Sequence, residues 1–519
     1  MAVQIPGATQ RFRNSNFQFC KARIAAATAV IFISLPIAAQ SQQTSKGNPD
    51  WRMYNGDYTA DRFSSLQQIT RENVSSLTQA GKYQLPETTS FQAGPVVIGD
   101  KMFVTTATTT YAINATTGAL LWAHKYPAKS LGLGTPVRGV AYADGRLYRG
   151  TPDAHLIALD ANTGKLIWDV AAGDPAKGDY FTAAPVVWDG RLYVGNSGSD
   201  VGTIGRVMAV ALKDGHKIWS FDAVPSSGPG SETWPADPNK KRAGGGMYSS
   251  FALDTSAGYL YVPTGNPGPD FAGSYRPGKN LYTCSVLMLD AKTGALHSYH
   301  QFTPNDVHDW DIAASPVLFT SKAGRNMVAV ASKNGYLYGL DRNLSKVAYQ
   351  VPVTTIANTD APLTPAGTRF CPGTQGGVNW YGPAYSPQQN ALFVNSIDWC
   401  TVIKLGGPES LQFKPGTPFL GSSNQFGDSD PKNKTGWLTA VDADTGKVLW
   451  KYHDSQPMVA AITPTASGVV FTADLAGNLL AFDAASGKVL LRNKAGGPVG
   501  GGVVTYMVNG KQYVAVAAG

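Results

Sequence analysis

One feature constrains this chain more than any other: a pattern that repeats along most of its length. A β-like run is followed by Asp-x-x-x-Gly, then an apolar pair and often Trp. It appears as INATTGALLW ending at Trp122, LDANTGKLIW at Trp168 and ALKDGHKIW at Trp219. It returns as LDAKTGALHSY from Leu289, LDRNLSKVAY from Leu340, VDADTGKVLW at Trp450 and FDAASGKVLL from Phe482, seven copies in all. The interval between Asp341 and Asp442 is about two ordinary repeats, which places one degenerate copy near ALFVNSIDWC. Each copy reads as a β-hairpin, with the Thr-Gly or Ser-Gly step supplying a turn in which Gly takes a positive φ at no steric cost. Strand-like runs such as RLYRG, RLYVG and YLYVP precede the turns, and the Trp residues belong on the outgoing strands, packed between neighbouring sheets. Four-stranded sheets repeated radially give a β-propeller, so the predicted fold is all-β with eight blades. Composition agrees: 15% of residues are charged, too few for many amphipathic helices, and the 57 Gly and 33 Pro have no collagen-like period. Roughly 60 residues per blade exceed the ~40–50 of other propellers, and the surplus belongs in long loops, where function concentrates.

The first 41 residues read differently. Arg11, Arg13, Lys21 and Arg23 precede an apolar run from Ile24 to Ile37, and Ala38-Ala39-Gln40-Ser41 follows. This is the order of a secretory leader, with cleavage expected after Ala39 or Ser41. The run is shorter than the ~20 residues needed to span a membrane, and Pro36 ends it. Cys20 precedes the apolar run, so it is not a lipoprotein cysteine. The division predicted is a signal peptide over 1–41 and one propeller domain over 42–519, periplasmic and without a transmembrane anchor. The formal charge of +8 does not point to nucleic acid, because half of it lies in the leader and no basic run follows beyond Lys240-Lys241-Arg242. Cys284, Cys371 and Cys400 remain after the leader, an odd count that leaves one thiol unpaired in an oxidising compartment. No C-x-x-C-H occurs to attach a c-type haem, and no cysteine pair has zinc spacing.

The repeat A-x-D-x-x-T-G-x-x-x-W resembles the tryptophan-docking motif of quinoprotein alcohol dehydrogenases, the enzymes that use pyrroloquinoline quinone (PQQ). The resemblance covers residues 48–519, from DWRMYNGDYTADRFSSLQQITRENVSSL to KQYVAVAAG, and includes GNPGP, RPGKNLYTCSVLMLDAKTG and FCPGTQGGVNWYGPAYSP. It implies an eight-bladed propeller with a PQQ and metal site at the centre of one face. Asp200 in VGNSGSDVGTIGR stands where the family places a glutamate ligand, Asn266 in TGNPGP matches its asparagine ligand, and Asp309 in TPNDVHDWD matches its catalytic aspartate. Asp311 stands two residues on, where lanthanide-type members carry aspartate and calcium-type members a small neutral residue. On extended chain, i and i+2 point the same way, so both carboxylates are expected at one ion, a hard cation such as Ca²⁺ or a lanthanide. Arg138, Thr151, Thr182, Lys333, Asn379 and Trp380 fall on family positions that bind PQQ, and Gln92 on that of a family glutamate or glutamine. Cys371 and Cys400 match a family disulfide. His308, beside Asp309, reads as a structural loop residue.

The chain also departs from the family. Gly132-Leu133 replaces the vicinal cysteine pair, Ser249 with Tyr248 beside it stands where the floor tryptophan under PQQ belongs, and Asp200 is a methylene shorter than glutamate. The activity implied is oxidation of an alcohol, with Asp309 as general base, hydride transfer to PQQ, and electrons passed to a separate cytochrome c or similar acceptor. A second reading, from the departures, is a non-catalytic propeller scaffold of the cell envelope.

Overall fold

The repeat turn around Asp160 shows how the motif becomes structure. In this computed structural model, which describes residues 29–34, 49–87, 89–131, 136–430 and 434–519, the Asp160 carboxylate accepts from the amides of Asn162 and Thr163 and from the Thr163 hydroxyl. Such side-chain acceptance supplies the turn amides with partners that a strand would otherwise provide. Gly164 follows at φ +70°, and a Cβ there would lie 2.5 Å from Cε3 of Trp122 in the preceding blade. Trp122 donates its indole N–H to the Ala161 carbonyl at 3.2 Å. The same bond runs from Trp168 to Leu212, Trp219 to Ala291 and Trp450 to Ala484. Tyr349 makes it through its hydroxyl, to Ala443. Asp and Gly of one copy therefore shape the seat for the aromatic ring of the copy before it.

The described residues form eight four-stranded antiparallel sheets. The first runs Val96–Ile98, Lys101–Thr105, Thr109–Asn114 and Leu120–Lys125. Apolar clusters fill the space between neighbouring sheets. One joins Val186 and Tyr193 of the third sheet to Leu253, Leu260 and Leu287 of the fourth, where each fully buried large aliphatic side chain contributes roughly 1.5–3 kcal/mol.

The sixth sheet corrects one expectation. ALFVNSID is not the hairpin of an extra copy: Ala391–Asp398 is the second strand of this sheet, paired along its length with Thr435–Asp442. The long interval in the repeat comes from inserted segments that build a three-stranded side sheet of Thr368–Phe370, Thr401–Ile403 and Asp428–Ser429. Cys371 and Cys400 are bonded beside it, and Cys284 is a free, buried thiol.

The eighth sheet carries no Asp-x-x-x-Gly turn because it is assembled from distant parts of the chain. Its order is Val503–Val508, Lys511–Ala518, Ala29–Ser34 and Thr78–Gln84. Ala29–Ser34 is buried and antiparallel to both neighbours. These six residues lie inside the apolar run assigned above to the leader; the cleavage positions after Ala39 and Ser41 fall outside the described residues. No helix among the described residues is long and apolar enough to cross a membrane.

Strand direction alternates within each sheet, so the connections that leave second and fourth strands emerge on one face. The Asp-x-x-Thr-Gly turns, which join third to fourth strands, lie on the other.

Candidate active site

All the expected site residues stand on the first of these faces. Gln92, Arg138 and Thr182 precede the opening strands of the first three sheets, and Asn379 and Trp380 precede that of the sixth. Asp200 lies on the short turn Ser199–Val201, and Asn266 and Lys333 lie on second-to-third-strand connections of the fourth and fifth sheets. Asp309 and Asp311 sit on the connection from the fourth sheet to the fifth.

Arg138 organises one half of the site. Its Nη2 donates to Gln92 Oε1 at 2.7 Å, and its Nη1 donates to Thr182 Oγ1 at 3.1 Å and to the Tyr248 carbonyl at 2.6 Å. Its Cζ stands 5.2 Å from the Tyr248 ring centroid and 5.3 Å from that of Trp380. Nε is buried without a partner. The acceptors around this buried guanidinium are neutral, and burial pulls its pKa down. A desolvated cation held by neutral groups is suited to an anionic ligand. The Thr151 hydroxyl instead donates to Asp153 at 2.6 Å, and the Asn379 amide donates to the Gln375 carbonyl at 3.4 Å, each within its own loop.

The other half is acidic. Asp309 adopts φ +63°, a left-handed conformation that costs a non-glycine residue energy and is found at functional loops. Asp306 holds this loop by accepting from the amides of His308 at 3.1 Å and Trp310 at 2.9 Å. His308 lies flat on Trp310 with ring centroids 4.0 Å apart, and Trp310 donates to the Pro372 carbonyl beside the disulfide at 3.1 Å. Lys333 Nζ is 2.8 Å from Asp309 Oδ2 and 3.2 Å from Asp311 Oδ2. Asp311 also accepts from the backbone N–H of Asn266 at 2.7 Å and the Tyr248 hydroxyl at 2.8 Å. A Cβ on Gly265 would lie 2.7 Å from Asp311 Oδ1, so the glycine lets the carboxylate approach the backbone.

These contacts set the electrostatics. Burial, reinforced by Asp311 and Asp200, pushes the Asp309 carboxyl well above its ordinary range against the opposing pull of Lys333. Burial and Asp311 push Asp200 up to about 7. Burial alone would lower the Lys333 pKa, but Asp309 and Asp311 outweigh it and leave the ammonium firmly charged.

The carboxylates that converge differ from the expected set. Oxygens of Asp200, Asp270 and Asp309 lie within 4.8 Å of one another. Asp311, expected beside Asp200, Asn266 and Asp309 at one ion, has its oxygens engaged by Asn266, Tyr248 and Lys333. Sequence reasoning passed over Asp270, which stands immediately after GNPGP; the available signal was an acid set in a Gly- and Pro-rich turn that continues into Phe271. Ser249 is buried and offers no aromatic surface at the floor position. Gly132-Leu133 lies outside the described residues.

A propeller face that sets a buried guanidinium with neutral acceptors beside converging carboxylates suits an anionic cofactor held next to a metal ion. Residues 51–362 and 345–514 match the PQQ family described as glucose/ethanol/alcohol dehydrogenase, beta-propeller domain. The chain belongs to that family of oxidoreductases, whose cofactors are PQQ and one metal ion. It is 32% identical over 522 residues to the quinohemoprotein alcohol dehydrogenase of Comamonas testosteroni, covering 91% of this chain and 73% of that protein. It is 29% identical over 519 residues to the lanthanide-dependent methanol dehydrogenase of Methylacidiphilum fumariolicum, covering 90% and 84%. A solved europium-containing methanol dehydrogenase superposes with a TM-score of 0.81 at 28% identity, covering 91% of this chain and 90% of that one.

Proposed function

We propose that this protein oxidises an alcohol in the periplasm and passes the electrons to a separate acceptor, a cytochrome c or similar protein. The observation that carries the reading is the meeting, on one face, of the Arg138 cluster with the Lys333–Asp309 pair at 2.8 Å. Arg138, Gln92, Thr182, Lys333 and Trp380, with Thr151 and Asn379 at the positions the family resemblance implies, would hold PQQ. Asp200, Asn266 and Asp309 would hold the ion, with Asp311 beside them, bonded to the Asn266 backbone, Tyr248 and Lys333. PQQ supplies a two-electron, hydride-accepting quinone, and the ion supplies Lewis acidity next to it.

The protein's own groups do the rest. Asp309 takes the proton of the substrate hydroxyl at a carboxylate oxygen. Lys333 Nζ, 2.8 Å from Asp309 Oδ2, favours the ionised carboxylate that can accept it. Lys333 also fixes the carboxylate's direction, and Trp310, pinned to the Pro372 carbonyl, keeps the loop from turning it away. The sequence contains no C-x-x-C-H, which supports an external electron carrier. The basic, apolar and small-residue order of residues 1–41 supports export.

The test is reconstitution of the purified protein with PQQ plus Ca²⁺ or a lanthanide, followed by a dye-linked alcohol panel. Turnover of at least one alcohol that requires both PQQ and metal is expected. Stoichiometric PQQ binding without oxidation of any alcohol would return the protein to the scaffold reading.

A further inference from the structure

Asp270 is 0% exposed, and neither of its carboxylate oxygens has a hydrogen-bond partner. The neighbouring guanidinium does not supply one. Arg276 directs Nε to the Pro269 carbonyl at 3.0 Å and Nη1 to Asn280 Oδ1 at 2.9 Å, while Nη2 takes the backbone carbonyls of Asp270 and Asp306. Arg276 therefore fixes the main chain of Asp270 and leaves its side chain free to face Asp200 and Asp309. A desolvated carboxylate without a donor is among the least favourable groups a fold can carry, and a cation that it contacts directly removes that cost.

The spacing matches such a cation. Oxygens of the three aspartates lie within 4.8 Å of one another, which is about twice the 2.3–2.6 Å reach of a large hard ion to oxygen. Asn266 and Asp270 sit on one connection, tethered where Pro267–Gly268 pairs with Ala243–Gly244, so both groups are presented by a braced segment.

We infer that Asp270 is a ligand of the metal ion, completing with Asp200 and Asp309 a set of three carboxylates. This rests on the metal-dependent reading above and adds a residue to it. Three carboxylates neutralise a trivalent ion and overcharge a divalent one, so Asp270 is also a determinant of preference for lanthanide over Ca²⁺.

The experiment is titration of the purified full-length protein, stripped of metal by a chelator, with Tb(III). It is read by sensitised luminescence and by the metal-induced shift in melting temperature, neither of which requires turnover. Asp270→Asn keeps the shape and removes the charge. It is expected to bind Tb(III) at least tenfold more weakly, to show a smaller metal-induced shift, and to melt no lower than wild type without metal. Asp270→Ser gives the same readings if the Asn variant fails to accumulate. Unchanged Tb(III) affinity in both variants, with binding lost in Asp200→Asn and Asp309→Asn, overturns the role of Asp270 and leaves the metal site standing. Failure of wild type to bind Tb(III) or Ca²⁺ at all overturns both.

Discussion

Asp309 combines an unfavourable backbone angle with a carboxylate clamped by Lys333. Asn tolerates the left-handed region better than most residues, so Asp309→Asn should fold and still bind PQQ. Its dye-linked turnover should fall below detection while the absorbance of bound PQQ is unchanged; retained turnover would remove Asp309 as the base. Asp311 plays a second part through its three bonded neighbours. Its negative charge adds to the field at the ion, and attraction grows with the product of the charges. Wild type is therefore expected to turn over faster with a lanthanide than with Ca²⁺, and Asp311→Ala to shift the ratio toward Ca²⁺. An identical ratio in the two proteins would show that Asp311 has no influence on metal choice. Asp309, Lys333 and Arg138 were legible in the sequence because they lie within motifs that resemblance could align. Asp270 was not, because its significance comes from what it lacks: partners for two buried oxygens, a property that only the packed structure displays.

The repeated turn is an element in which backbone angle and packing can be separated. Gly164 of this turn and Gly190, in the hairpin joining Val186–Trp188 to Arg191–Gly195, have nearly the same φ, +70° and +71°, but a Cβ on Gly164 would press into Trp122 whereas one on Gly190 meets nothing within 4 Å. Both Ala substitutions cost about 1 kcal/mol for the left-handed conformation. Gly164→Ala should cost about 1–3 kcal/mol more for the overpacked ring. Thermal melts should rank Gly190→Ala above Gly164→Ala; coincident melts would show that the indole moves aside freely. The side sheet offers a second test. The Cys371–Cys400 bridge spans 29 residues, and opening it with the double change to Ser should remove roughly 3 kcal/mol in the chain-entropy account. Non-reducing peptide maps should link these two cysteines and leave Cys284 free. Seven of the turns were readable because each is a local signal, as where Asp160, Thr163 and Gly164 act within five residues of one another. The misplaced eighth copy arose because interval counting cannot distinguish a missing blade from a segment inserted inside one.

At the scale of the whole molecule, the ring closes through pairing between residues hundreds of positions apart, and no local pattern announces it. Ala29–Ser34 fills the third position of the closing sheet between Thr78–Gln84 and Lys511–Ala518, and these are the residues that leader cleavage would remove. Protein recovered from the periplasm is expected to begin near Gln40–Gln42. Its amides in 511–518 should then exchange with solvent faster than those of Val469–Ala473, whose neighbours on both sides are untouched by cleavage. A periplasmic protein that retains residues 29–34 would show the leader assignment to be wrong. The closing sheet also acts as a clock. Val503–Val508 and Ala29–Ser34 both pair with Lys511–Ala518, so the ring cannot close before residues 511–518 are in place. Until then the first and seventh sheets end a row instead of meeting across the eighth.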